Sequence, residues 1–190
     1  FLDKNVGTGK TVNVSGITLG GADARNYTYN TTATTTANIT KLNIALKGVT
    51  ALSKVYDGTT AATIGGAAYI SALGTDSVSA GGSGSGTFST KSVGTGKPVT
   101  VNVSGYTLSG ADAGNYNLTA PYGVKADITK LGLTTTGTPV AASRVYDGTT
   151  YTTVSGATLV GVLGSDDVYL GGLFADKNVG VAKPVSLTLT

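Results

Sequence analysis

The stretch PVTVNVSGYTL, residues Pro98–Leu108, places an apolar side chain at every second position from Val99 to Val103. Val99, Val101 and Val103 alternate with Thr, Asn and Ser, so an extended chain carries the three valines on one face. This period of two is typical of a β-strand with one face in a core and the other in water. The same alternation recurs at residues 185–189, and no segment shows the period of an amphipathic helix. The sequence therefore predicts an all-β protein.

The chain also repeats itself. The segments that begin at Phe1, Phe88 and Phe174 share the pattern Phe-x-x-Lys-x-Val-Gly, and these phenylalanines lie 87 and 86 residues apart. Self-similarity at a fixed period indicates a repeat architecture. Because Gly-rich turns separate short alternating segments, we predict tandem immunoglobulin-like antiparallel β-sandwich repeats of about 87 residues.

This period divides the chain into three parts. Residues 1–40 are predicted to be the C-terminal part of one repeat unit, 41–129 a complete β-sandwich repeat, and 130–190 the N-terminal part of the next unit. We expect such a chain to be a segment of a longer array, or else a subunit whose incomplete repeats are completed by strands from identical chains. Seven strands are predicted in the complete unit, near residues 42–50, 60–70, 76–81, 86–91, 97–108, 115–120 and 123–129.

The segments KVYDGTT and RVYDGTT, which start at Lys54 and Arg144, are two copies of one motif. An Asp-Gly pair between β-formers predicts a type I′ hairpin turn, in which the tyrosine faces a threonine across the strand ladder. The alternative is a metal site or general base at the aspartate, but the segment holds no histidine and no second acid. We therefore interpret the motif as structural. Its residues are Tyr56, Asp57 and Gly58 in the first copy and Tyr146, Asp147 and Gly148 in the second.

A second motif, Asp-x-x-Asn-Tyr, precedes a predicted strand and contains Asp23 and Tyr27 in one copy and Asp112 and Tyr116 in the other. The tyrosines resemble the tyrosine corner of immunoglobulin-like sandwiches, whose hydroxyl binds an upstream backbone group. The aspartates are expected to cap the preceding turn through their side chains. Calcium binding by Asp112 and Asn115 is the alternative, but calcium takes six to eight oxygen ligands and only one carboxylate is local.

The composition removes several classes of function. The 190 residues include no His and no Cys, and all ten acidic residues are Asp. A zinc site of the common kind, a Ser-His-Asp triad and a thiol redox centre are therefore excluded. The net charge of +3 is spread without basic runs, and no apolar run approaches the ~20 residues of a membrane span. We predict a protein that is not an enzyme and has no cofactor, metal, nucleic-acid partner or membrane-inserted segment.

Two lysine motifs have chemical alternatives. The Gly-x-Gly-Lys sequence that ends at Lys97 lacks the longer phosphate-loop pattern and runs into a strand, so Gly94 and Gly96 are predicted to form a turn. An intramolecular isopeptide bond from Lys91 or Lys97 to an asparagine is the other alternative, and the spacing of the residues identifies no partner for it.

Four ordered motifs together carry a family resemblance: KVYDGTT at Lys54, GTDSV at Gly74, GTFSTKSVGTGKPVTV at Gly86 and LSGADAGNYNLT at Leu108. They are similar to the YDG-type tandem repeats of large bacterial surface and secreted proteins, among them filamentous-haemagglutinin-like adhesins. The resemblance covers the whole chain. It implies an extracellular location at the bacterial cell surface and a role as a structural stalk or spacer.

The resemblance also implies partners, which are neighbouring repeats of the same chain or identical chains, with a host or surface receptor as a further partner. Two alternatives to the stalk remain open. One is a self-assembling extracellular filament subunit with strand exchange between chains. The other is a glycan- or receptor-binding sandwich, for which Tyr122, Tyr151 and Tyr169 are the candidate aromatic residues.

Overall fold

A computed structural model describes residues 1–189, and this part of the chain contains β-strands and two single 3₁₀ turns but no α-helix. The predicted all-β class is therefore confirmed. The strands are β1 (Gly7–Ser15), β2 (Thr32–Ile39), β3 (Leu42–Ala45), β4 (Lys47–Ala51), β5 (Lys54–Val55), β6 (Ala61–Tyr69), β7 (Ser79–Gly82), β8 (Ser85–Phe88), β9 (Gly94–Asn102), β10 (Tyr106–Ser109), β11 (Tyr116–Thr119), β12 (Lys125–Thr129), β13 (Thr134–Ala141), β14 (Tyr151–Val160), β15 (Leu170–Phe174) and β16 (Val185–Leu189), and the 3₁₀ turns are Ala24–Asn26 and Ala113–Asn115.

The described chain forms two compact units, each built from three separate segments. The first unit consists of Phe1–Leu52, Ala61–Ser89 and Gly96–Ala126. The second unit consists of Ser53–Thr60, Thr90–Thr95 and the chain from Asp127 onward. Each unit therefore contains residues from two successive sequence repeats.

The first unit contains several sheets. Its largest sheet places β4, β6, β8, β9 and β12 side by side in that order, and β4–β6, β6–β8 and β8–β9 run antiparallel. Two smaller sheets pair β10 with β7 and β11 with β3, and β1 pairs with β2. An arrangement of several sheets is consistent with a β-sandwich.

The core of the first unit confirms the alternation that predicted the fold. Leu46, Val49, Val101 and Tyr106 are buried and pack together. In β9, Val99 and Val101 are 7% and 3% exposed, whereas the threonine and asparagine that alternate with them face solvent. Each such burial contributes about 1.5–3 kcal/mol to folding, so the apolar face of β9 holds this strand in its place.

The second unit is organised around an antiparallel sheet in the order β13-β14-β15-β16. At the edge of this sheet Phe174 of β15 lies opposite Val185 of β16. In the same unit the last two residues of β12, Ile128 and Thr129, pair with β5. Ile128 is 1% exposed, so the short pairing of β12 with β5 includes a fully buried side chain.

The structure divides the strands more finely than predicted. Residues 41–129 contain ten strands rather than seven, and the predicted strand 97–108 is broken into β9 and β10. The Asn102 Oδ1 atom accepts a hydrogen bond from the Ser104 N–H at 2.9 Å. An asparagine that binds the backbone two residues ahead competes with the strand ladder, so the sheet pairing stops after Asn102, and the apolar alternation changes phase between Val103 and Tyr106.

The prediction of purely antiparallel pairing is wrong at two places. β11 runs parallel to β3, with Tyr116 opposite Leu42, and β12 runs parallel to β5, with Ile128 opposite Lys54. Parallel neighbours require a long connection between them. The alternation within one strand carries no information about a partner that lies so far away in the sequence.

A substitution at Gly66 can test whether a local kink in the backbone fixes the pairing of β4 with β6. Its φ is +88°, and a Cβ atom at this position would lie 2.3 Å from the Gly48 carbonyl oxygen. The pairing register shifts at this point, between Lys47 and Val49. We expect Gly66→Ala to lower the free energy of unfolding by about 2 kcal/mol or more, since both the backbone conformation and the space exclude a methyl group.

Gly65→Ala is the matched control, because a Cβ atom there has 3.8 Å of clearance and the backbone is not left-handed. This substitution is expected to change the free energy of unfolding by less than about 1 kcal/mol. Urea denaturation of the two variants measures the difference. Equal losses in the two variants would show that the kink at Gly66 has no special role.

Candidate functional site

The Asp57 carboxylate organises the first YDG turn. Its Oδ1 atom accepts hydrogen bonds from the Thr59 N–H and the Thr59 hydroxyl, each at 2.9 Å, and from Lys54 Nζ at 2.7 Å. Lys54 Nζ also donates to the Thr59 carbonyl oxygen at 3.0 Å. These contacts, with the Lys54 ammonium group as the largest cause, lower the pKa of Asp57 to about 2. The ionised carboxylate therefore closes the turn through its own backbone and one cation.

The second YDG turn has the same geometry around a different cation. Asp147 Oδ1 accepts hydrogen bonds from the Thr149 N–H at 2.8 Å and from the Thr149 hydroxyl at 3.0 Å. Arg144 takes the place of the lysine and binds both the Asp147 carboxylate and the Thr149 hydroxyl. The pKa of Asp147 is lowered, chiefly by the Thr149 N–H. The two turns therefore have the same geometry, although the cation is a lysine in the first and an arginine in the second.

The predicted type I′ hairpin is wrong for both turns. That turn requires positive φ at two central residues. Within residues 1–189 Ala182 is the single non-glycine residue with positive φ, so of each Asp-Gly pair only Gly58 and Gly148 qualify. β5 pairs with β12, whereas β6 pairs with β4 and β8, so Tyr56 does not face Thr59 across a ladder. The physical reason is that the aspartate side chain binds the backbone two residues ahead, which creates a different turn.

Tyr56 instead belongs to a group that we call the Asp166 cluster, consisting of Tyr56, Lys91 and Asp166. The Tyr56 hydroxyl donates to Asp166 Oδ2 at 2.7 Å, and Lys91 Nζ lies 3.3 Å from Asp166 Oδ1. The Lys91 ammonium group also lies 6.0 Å from the centre of the Tyr56 ring, a distance that allows a cation–π contact. The Tyr56 hydroxyl, and after it Lys91, lowers the pKa of Asp166.

A related group in the first unit, the Asp76 cluster, consists of Lys4, Asp76, Asp112 and Tyr116. Lys4 Nζ forms ion pairs with Asp76 and, at 2.8 Å, with Asp112 Oδ1. The Tyr116 hydroxyl donates to Asp76 Oδ2 at 2.7 Å and accepts a hydrogen bond from the Leu73 N–H at 3.1 Å. Tyr116 is buried, and its hydroxyl both donates and accepts a hydrogen bond, so neither capacity is left unsatisfied in the core.

Lys4 determines the electrostatics of the Asp76 cluster. Two carboxylates that share one site repel each other, and accordingly Asp76 acts to raise the pKa of Asp112. The Lys4 ammonium group is the largest influence on both carboxyls and lowers the pKa of each. The two carboxylates in turn raise the pKa of Lys4. Both aspartates therefore stay ionised around one cation.

The two clusters use equivalent positions of the repeated sequence. Lys4 and Lys91 are the lysines of the Phe-x-x-Lys pattern, and Asp76 and Asp166 each follow a Gly-Thr or Gly-Ser pair. The N–H of each aspartate donates to the leucine carbonyl three residues upstream, at 2.9 and 3.0 Å. The sequence predicted no role for Lys4, Asp76 or Asp166, and for Lys91 only the alternative of an isopeptide bond. The signal that could have identified all four is their recurrence in the repeated segments Phe-x-x-Lys and Gly-[Thr/Ser]-Asp.

The structure places the Asp-x-x-Asn-Tyr residues differently in the two copies. Tyr116 binds a backbone group, as a tyrosine corner does, but that group belongs to Leu73 on a separate loop. Asp112 does not cap its turn through the side chain, and its Oδ2 atom accepts a hydrogen bond from the Ser77 N–H instead. Tyr27 is 69% exposed, and Asp23 makes no side-chain cap.

The geometry gives limited support to the two predicted alternatives, a calcium site at Asp112 and a ligand-binding surface of tyrosines. Among residues 1–189 no group of three or more acidic side chains is arranged to hold a metal ion. The Asn115 side chain accepts from the Val6 N–H at 2.9 Å and donates to Asn5 Oδ1 at 3.1 Å, so it binds the first segment of the chain. The tyrosines considered for ligand binding are exposed, namely Tyr122 (91%), Tyr151 (63%) and Tyr169 (64%).

The predicted glycine turn before Lys97 is wrong, because Gly94 and Gly96 lie within β9. Gly96 has a φ of +58° and bends the strand without ending it. In the other two copies of this segment, Lys10 and Lys183 form ion pairs with aspartates seven residues upstream.

None of the helical turns in the described part of the chain is long and apolar enough to cross a bilayer.

The Asp57 pKa tests the role of the cation in the YDG turn. Because the folded-state value of about 2 lies below the ordinary 3.8, ionised Asp57 stabilises the folded chain above about pH 4, and this stabilisation is lost as the pH falls towards 2. Carboxyl NMR titration should give this midpoint in the native chain. Lys54→Met should raise it, whereas Arg144→Met should change Asp147 less, since the Thr149 N–H dominates there. Equal shifts in the two turns would contradict this assignment.

The Tyr116 hydroxyl is expected to stabilise the first unit. Tyr116→Phe removes the donor to Asp76 and the acceptor of the Leu73 N–H, so we expect the free energy of unfolding to fall by roughly 1–3 kcal/mol. The control is Tyr27→Phe, because Tyr27 occupies the equivalent sequence position but is largely exposed. Thermal and urea unfolding of both variants measure the change. If Tyr116→Phe leaves the free energy of unfolding unchanged, the Tyr116 hydroxyl and the Asp76 cluster do not stabilise the first unit.

Comparison with known proteins agrees with the repeated geometry. The YDG domain matches three successive stretches, residues 1–37, 39–123 and 129–190. No curated protein and no solved structure shows a match. The matched stretches include both YDG turns and every residue of the Asp76 and Asp166 clusters. Since the matches cover nearly the whole sequence, the chain belongs to the YDG domain family.

Proposed function

We propose that this chain is a structural stalk or spacer segment of a bacterial extracellular adhesin or cell-surface fibre. It is built in this proposal from tandem immunoglobulin-like sandwich repeats and has no catalytic activity. The observation that carries the proposal is one contact that occurs twice. A lysine of the Phe-x-x-Lys pattern binds an aspartate 72 residues away in the Lys4–Asp76 pair and 75 residues away in the Lys91–Asp166 pair.

In terms of the sequence period, each of these contacts joins two successive repeats. The lysine comes from the later part of one repeat and the aspartate from the earlier part of the next. Asn5 and Val6 add two hydrogen bonds to Asn115 beside the Asp76 cluster. Because each compact unit is built from parts of two successive repeats, side-chain contacts of this kind hold the parts of one folded unit together.

The connection between successive repeats supports the same proposal. β12 ends at Thr129 and β13 begins at Thr134, and the residues between them are Lys130, Leu131, Gly132 and Leu133. A flexible linker requires a longer Gly/Ser-rich segment. These four residues lie inside the second compact unit, so one repeat passes into the next within folded structure, which suits a spacer.

The state of the carboxylates supports a non-catalytic role. The side chains of Asp57, Asp76, Asp112 and Asp166 are each bound by a cation, and each has a lowered pKa. A general base works best with a pKa near the working pH, and enzymes raise carboxyl values to reach it. These four groups are shifted in the opposite direction, as groups in structural ion pairs are.

Mechanical unfolding tests the stalk proposal. We expect the native chain, pulled from its two ends in optical tweezers, to show two unfolding events. Lys4→Met should lower the force of one event, because it removes the cation from the Asp76 cluster. Lys41→Met is the control, since this lysine is exposed. Identical forces for the two variants would contradict a mechanical role for the cluster.

Surface labelling tests the location. An antibody raised against the purified chain should bind intact cells that produce the native protein, and electron microscopy should find the label outside the cell envelope. Labelling that requires permeabilised cells would overturn the extracellular part of the proposal.

A further inference from the structure

The sequence contains two Asp-Gly peptides, Asp57–Gly58 and Asp147–Gly148, and both lie in the YDG turns. An aspartate followed by glycine is chemically labile in water, because the unhindered glycine nitrogen can attack the aspartate side chain and convert the residue to isoaspartate. We propose that the threonine and the cation of each YDG turn protect its Asp-Gly peptide from this conversion. These residues are Thr59 and Lys54 in the first turn, and Thr149 and Arg144 in the second.

The conversion passes through a cyclic imide. The Gly58 backbone nitrogen attacks Asp57 Cγ, an N–C bond forms, and one Cγ–O bond of the carboxylic acid breaks. The departing oxygen leaves as water, with the amide proton and the carboxyl proton. A water molecule then opens the ring at either carbonyl, and opening at the Asp57 backbone carbonyl leaves the chain running through Cβ and Cγ of the aspartate. Water is lost once and regained once, so the reaction needs no further reagent.

Both turns require the glycine that makes them labile. Gly58 has a φ of +76° and Gly148 a φ of +79°, conformations that residues with a side chain rarely adopt. A Cβ atom would meet no atom within 4 Å at either position, so the backbone conformation rather than the available space selects glycine. A slower-reacting residue after the aspartate would strain the turn. Protection therefore has to come from the groups around the aspartate.

The first protective feature is the set of hydrogen bonds on the aspartate side chain. Asp57 Oδ1 accepts from the Thr59 N–H and the Thr59 hydroxyl, each at 2.9 Å, and from Lys54 Nζ at 2.7 Å. Attack on Cγ makes this planar carbon tetrahedral and turns the carboxyl group towards the glycine nitrogen, so these hydrogen bonds must be stretched or broken. Asp147 Oδ1 is held in the same way by the N–H and the hydroxyl of Thr149.

The second protective feature is the negative charge of the carboxylate. The species that reacts is the neutral acid, because the carboxyl oxygen needs its proton to leave as water. The Lys54 ammonium group, and after it the Thr59 N–H, hold the pKa of Asp57 at about 2, below the ordinary 3.8. The pKa of Asp147 is lowered as well, chiefly by the Thr149 N–H. At neutral pH the reactive form of Asp57 is therefore about tenfold rarer, or more, than in an unbound aspartate.

The first Asp-Gly peptide lies where a longer backbone would disturb the second unit. Isoaspartate adds one atom to the chain between Tyr56 and Gly58, and it displaces the carboxylate that binds Thr59. Residues 53–60 belong to the second unit. The hydroxyl of Tyr56, which directly precedes the reactive residue, donates to Asp166 Oδ2 at 2.7 Å. Protection of the Asp-Gly peptide therefore preserves the place of Tyr56 in the Asp166 cluster.

Ageing of the purified full chain tests the proposal. The native chain is kept folded in neutral buffer made with oxygen-18 water, so that every ring opening during the incubation labels its product. Peptides released by digestion are separated, and isoaspartate at residues 57 and 147 is identified by fragmentation in a mass spectrometer. Capped synthetic peptides of residues 51–63 and 141–153, aged in parallel, give the unprotected rates. We expect each Asp-Gly peptide of the chain to isomerise at least tenfold more slowly than in its synthetic peptide.

A variant at the cation separates protection by the turn from the rigidity that any folded chain has. Lys54→Met should raise the rate at Asp57 at least threefold and leave the rate at Asp147 unchanged. Both aspartates lie in the second unit, so loosening of that unit would accelerate the two reactions together. Lys41→Met is the matched control, since this lysine is exposed and lies outside the YDG turns.

The reciprocal variant completes the test. Arg144→Met should raise the rate at Asp147 and leave the rate at Asp57 unchanged. Equal rates in the chain and the synthetic peptides would overturn the proposal. Equal rates at Asp57 in Lys54→Met and Lys41→Met, or a parallel rise at both aspartates in either YDG variant, would overturn it as well. The rates are measured on purified chain without cells or applied force, so their outcome is independent of the stalk proposal.

Discussion

The Asp76 carboxylate is the point at which distant parts of the first unit are joined. It receives Lys4 from the beginning of the chain and the Tyr116 hydroxyl from the start of β11. Charged residues make up 12% of this protein, about half the usual share, so few contacts are available to distinguish one pairing of segments from another. A carboxylate that must bind one cation and one phenol favours the single pairing of segments that brings both groups to it. The Asp166 cluster makes an equivalent selection in the second unit.

Such selection is needed because the strands are alike in composition. Strands rich in Thr, Ala, Gly and Val offer many pairings of similar energy, and a shift by one residue exchanges the two faces. Glycines at left-handed positions restrict the choice. Gly48 and Gly66 approach each other across β4 and β6, and Gly137 and Gly156 do the same across β13 and β14. In both sheets the register shifts beside these pairs, so the kinked backbone fits one alignment and resists the others.

The sequence predicted the features whose causes are local. The alternation of Val99 and Val101 predicted a half-buried strand, and the structure has it. The repeat of the YDG motif indicated a turn, but its type was wrong because the Asp57 side chain binds the backbone of its own turn. The partner of Tyr56 was not predicted at all. The carboxylate that binds its hydroxyl lies 110 residues away, and the pattern around either residue carries no information about the other.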